Sequence, residues 1–63
     1  MMDPSLIEIV TRVVANARQA GLEVEFQRDA AVAALWAVMP GEAPAIAHFI
    51  VQLAFPQVVD LAA

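Results

Sequence analysis

The chain has 63 residues and reads as one domain, 1–63, of a size at which folding buries only about 60% of the unfolded surface and a lone protomer is marginal. With no cysteine and a single histidine, disulfides and ordinary structural zinc sites are excluded, and no cofactor is expected. The net charge of −4, from seven acidic residues against three cations that are all Arg, argues against nucleic acid and against an anionic membrane surface as partners.

The first predicted element opens at Asp3-Pro4-Ser5, with Asp3 placed as a helix N-cap and Pro4 at the first helical position, where its missing N–H costs nothing. Leu6, Ile9, Val10, Val13, Ala17 and Ala20 follow at spacings of three and four, while Glu8, Thr11, Arg12, Asn16 and Gln19 take the opposite face. This predicts an amphipathic helix over about 4–20, terminated by Gly21. The turn Arg18-Gln19-Ala20-Gly21-Leu22 resembles the Ala-Gly-apolar turn of helix-turn-helix proteins. Glu23 and Glu25 on the following segment would face phosphates, however, so DNA binding is not expected.

Residues 22–27, Leu-Glu-Val-Glu-Phe-Gln, alternate apolar and polar, which is the period of a half-buried strand. A lone strand has no second alternating segment to pair with in this chain, so it is expected to pair with its own copy across a two-fold axis. The competing readings are an extended linker or an extra N-terminal turn of the next helix. Glu23 and Glu25 on one face are taken as a wet face and not as metal ligands, because the Asp-rich loop of calcium sites is absent.

Asp29 to Met39 forms the central predicted helix, about 28–39, capped by Asp29 and stopped before Pro40-Gly41. Every residue from Ala30 to Met39 is apolar, so no face is built to meet water. Eleven residues at 1.5 Å each reach only about 16 Å, half of a ~30 Å hydrocarbon core, so this helix does not span a bilayer and its cover must be protein. Pro44 opens a third predicted helix, about 44–55, on which Ile46, Phe49, Ile50 and Leu53 fall at i, i+3, i+4 and i+7. Its polar stripe is narrow, His48 and Gln52 one turn apart, and Pro56 is expected to end or kink it near Phe55.

His48 is the natural candidate for acid–base work. It has no nucleophile at a telling spacing, and Gln52 cannot act as a base, so it reads as a helix-surface residue. Trp36, Phe49 and Phe55 read as core or interface and not as a ligand pocket.

The fold expected from these elements is all-α, a small three-helix protomer in an intertwined homodimer with the central helix inside and the 22–27 strand paired across the axis. The expected interface is Leu35, Trp36, Met39, Phe49, Ile50, Leu53 and Phe55, with Trp36 as its anchor. No catalytic, metal or nucleotide motif is present, so an enzyme is not expected. The expected function is a small acidic protein-binding regulator, inhibitor or assembly adaptor. The N-terminal MMDPSL lacks the features of a signal or transit peptide, which sets a cytoplasmic expectation. The alternative is a membrane-associated helical hairpin of 30–39 and 43–55, against which stands Glu42 at its tip.

Overall fold

A computed structural model of the chain describes residues 4–62 and is all-α, with α1 at Pro4–Gln19, α2 at Val24–Ala37 and α3 at Pro44–Ala62. Helix α1 starts at Pro4 as its sequence dictates; Asp3, its expected cap, lies outside the described residues. It buries Val10, Val14 and Ala17 along one stripe. Its end is a Schellman turn: the Leu22 N–H donates to the Ala17 carbonyl and the Gly21 N–H to that of Arg18, each at 3.0 Å. The turn needs a left-handed residue, and Gly21 supplies it at φ +83°.

Two boundaries of α2 differ from expectation. Most of the alternating segment is helical: Val24 to Gln27 form the first turn of α2, and Glu23, extended at φ −69° and ψ 163°, occupies the N-cap position in place of Asp29. The reason lies in hydrogen bonding. A strand with no neighbour leaves its N–H groups unpaired, whereas in the helix the Phe26 and Gln27 N–H groups donate to the Glu23 carbonyl at 3.0 and 2.9 Å. Gln27 also turns inward, and its buried side-chain amide donates to the Leu22 carbonyl at 2.9 Å, closing the turn behind it. At the other end α2 stops at Ala37, two residues earlier than expected. The Val38 and Met39 N–H groups donate to the Leu35 and Trp36 carbonyls, and the Glu42 N–H donates to Met39.

The third helix continues past the position expected to end or kink it, and Pro56 sits inside α3. Proline removes the N–H that the Gln52 carbonyl would have accepted, but both residues are exposed, so water can take that place. What carries the helix onward is packing: Phe55 and Val58, on either side of the break, are buried in the core, with Val59 and Ala62 packed against it.

The core is contributed by all three helices. Val14, Leu35, Val51 and Val58 are its largest fully buried side chains, with Leu6, Val32, Met39 and Ile50 packed around them. Leu35 and Ala31 therefore find their cover within the chain itself. The radius of gyration, 10.6 Å, matches the roughly 10.6 Å expected of a compact 63-residue domain, so apolar exposure is not a symptom of loose folding.

Candidate interaction surface

Because α2 and α3 are apolar nearly all round, burying one face of each against α1 leaves apolar side chains on the other. On α3 these are Ile46, Phe49 and Leu53, a ridge at i, i+3 and i+7, with Phe49 60% and Leu53 67% exposed. At the α2–α3 turn stand Trp36, 44% exposed, and Val38. The Trp36 indole is fixed by its N–H, which donates to the Glu42 carbonyl at 3.1 Å, so its orientation over the turn is set before any partner arrives. A third exposed group, Leu22, Val24 and Phe26, surrounds the α1–α2 turn.

The residues expected at an interface thus divide. Trp36, Phe49 and Leu53 are exposed, and Met39 and Ile50 are half-buried with one side packed on the core. Leu35 and Phe55 are instead buried in the protomer's own core, Leu35 completely and Phe55 with only 6% of its surface open. Ile46 completes the exposed ridge and was not among the expected residues, although its place one turn before Phe49 and Ile50 is visible in the sequence. The exposure of Leu22, Val24 and Phe26 was not expected, because their alternation suggested the half-buried face of a strand.

Beside the ridge, α2 and α3 enclose a groove of about 420 Å³ lined by Arg28, His48, Gln52, Phe55 and Pro56. The Arg28 guanidinium lies over the Phe55 ring, 4.8 Å from its centroid, a cation–π contact that holds the long side chain in place. Of the other cations, Arg18 donates through Nη1 to the Val59 carbonyl at 3.3 Å. Among the described residues, no group of three or more His, Cys, Asp or Glu is gathered as metal ligands.

Helix α3 has a second property. It has 19 residues and contains an 18-residue stretch of mean hydropathy 1.5, so by length and composition it could cross a membrane, and 28% of that stretch is buried in the bundle. Comparison of the chain with known protein families, with characterised proteins and with solved structures finds no match.

Proposed function

We propose that the protein works by binding other proteins: it self-associates as a homodimer of preformed bundles and serves, in the cytoplasm, as a small regulator, inhibitor or assembly adaptor with no catalytic role. The observation that carries this reading is the exposed ridge Ile46-Phe49-Leu53 on a bundle whose core is already closed. Covering a large apolar side chain completely gains about 1.5–3 kcal/mol, so three neighbours on one helix face are a sizeable driving force. Trp36, whose indole N–H donates to the Glu42 carbonyl, is of the residue type most enriched among interface hot spots and is the anchor in this reading.

The test is sedimentation equilibrium at micromolar concentration, where the mass should be about twice 6.7 kDa or more. Leu53→Ser, at an exposed site, should return the mass to that of one chain without loss of helicity. A folded wild-type monomer throughout that range would end the dimer proposal.

The second reading, membrane association, draws on the length of α3, about 28 Å at 1.5 Å per residue and close to a hydrocarbon thickness. Against it, α3 gives Val51, Phe55 and Val58 to the soluble core, and insertion would carry His48 and Asp60 into lipid. Cell fractionation separates the two readings: recovery in the detergent-free supernatant favours the first, and recovery only with detergent favours the second.

A further inference from the structure

The groove between α2 and α3 has a chemistry that neither the core nor the ridge requires. Its lining combines three side chains able to donate hydrogen bonds, Arg28, His48 and Gln52, with an apolar floor of Phe55 and Pro56, and it contains no Asp or Glu. In a chain of net charge −4 this is a local concentration of donors without a carboxylate to satisfy them. Among the described residues the His48 and Gln52 side chains have no hydrogen-bond partner, and Arg28 has only the Phe55 ring. A cation–π contact satisfies none of the guanidinium N–H donors, which form a planar fork able to meet two oxygens at once. His48 and Gln52 stand one turn apart on α3, so their donors fall on the same side of the groove as each other.

From this geometry we infer that the groove binds an organic carboxylate carried on a small aromatic or aliphatic body. The two carboxylate oxygens meet the Arg28 fork, with His48 and Gln52 donating from α3, and the body lies on Pro56 beside the Arg28–Phe55 contact. A volume of about 420 Å³ suits a ligand of this size. A phosphate suits the site less well: its second negative charge calls for more cations than the single Arg present, and it has no apolar body to cover the floor. Arg28 is held in place before the ligand arrives, which removes part of the ordering cost of binding. The inference stands apart from the dimer reading, since it concerns the groove and not the ridge.

The carboxylate can come from a free small acid or from the C-terminus of a polypeptide, and one titration with four probes separates these sources. The probes are phenylacetate, phenylacetamide, and acetyl-Ala-Ala-Phe with a free or an amidated C-terminus, each added to the isotope-labelled full chain and followed by NMR at Arg28 Nε–H, the Gln52 side-chain amide and the His48 ring. Phenylacetate should bind with a dissociation constant on the order of 1 mM, and phenylacetamide at least about tenfold more weakly. A free peptide acid that binds more tightly than phenylacetate identifies a protein C-terminus as the source; the reverse order identifies a small acid. Arg28→Met keeps the stem over Phe55 and should reduce carboxylate binding at least about tenfold, and Arg28→Lys, which retains charge without the fork, should fall between. Equal binding of acid and amide by the wild type would overturn the inference without reference to any variant. So would unchanged binding by Arg28→Met, or the absence of shifts at these three residues up to about 10 mM of either acid, a range chosen to exceed the expected constant tenfold.

Discussion

Thr11 is the residue at which α1 departs furthest from what its surroundings ask. Its hydroxyl oxygen is buried and has no hydrogen-bond partner among the described residues, and an unsatisfied buried hydroxyl costs about 1–3 kcal/mol. Thr11→Val, nearly equal in shape, should raise stability by about 1 kcal/mol in urea denaturation; a loss would mean that the hydroxyl has a partner in solution. Leu35 and Trp36 are neighbours in sequence with opposite fates. Leu35→Ala opens a cavity at a fully buried site and should cost about 2–5 kcal/mol at any protein concentration. Trp36→Ala removes a half-exposed side chain and one hydrogen bond, about 1–2 kcal/mol for the isolated bundle, and its larger effect should appear as weakened self-association on dilution. If both substitutions shift the unfolding midpoint equally at low and high concentration, Trp36 has no part in an interface.

At the level of helices, the bounds of α1 were readable almost to the residue because Pro4 and Gly21 punctuate it. In α2 the contrast between polar and apolar positions is missing. When every position from Ala30 to Ala37 is apolar, periodicity shows that a helix exists but not which side faces inward, so Leu35 and Trp36 could not be told apart. The start of α2 was obscured for another reason: six alternating residues carry a strand's period, and the helix prevails through backbone pairing and the inward turn of Gln27, which no local pattern reveals. The end of α3 was hidden by a rule that holds for an isolated helix, whereas Val58 is held by tertiary packing on the far side of Pro56. The last turns of α3 are therefore structural. A chain ending at Phe55 loses Val58 from the core, together with Val59 and Ala62 packed against it, and should lose cooperative thermal unfolding by circular dichroism. Retention of a sharp transition would show that the terminal segment is dispensable.

On the scale of the whole molecule, the groove was only partly legible: His48 and Gln52 were visible as a stripe, but Arg28 joins them from another helix, and only the fold brings the three together. The distribution of cations also bears on partners. Arg28 is stacked on Phe55 and Arg18 is bonded to a carbonyl, so two of the three Arg are engaged within the bundle. Gel shifts with duplex DNA or RNA at low salt should accordingly show no complex below roughly 100 μM protein, and a shift at low micromolar concentration would contradict the proposal that nucleic acid is not a partner.

The contact between Arg18 and the Val59 carbonyl joins the last turn of α1 to the closing turns of α3, so both helices end at the same pole of the bundle. Each contributes the negative end of a helix dipole there, roughly half an elementary charge. Helix α3 has no basic residue in its own last turn, and Asp60 adds to the unfavourable field. Arg18 thus serves two dipoles, its own helix's and its neighbour's, while Glu25 in the first turn of α2 matches the positive end of that helix. Arg18→Gln should lower stability by about 0.5–1 kcal/mol at low ionic strength, with most of that difference gone by about 1 M salt, where the screening length is ~3 Å. A loss that persists undiminished at high salt would mean that the side chain acts through packing, and that the pole of the bundle carries no field of consequence.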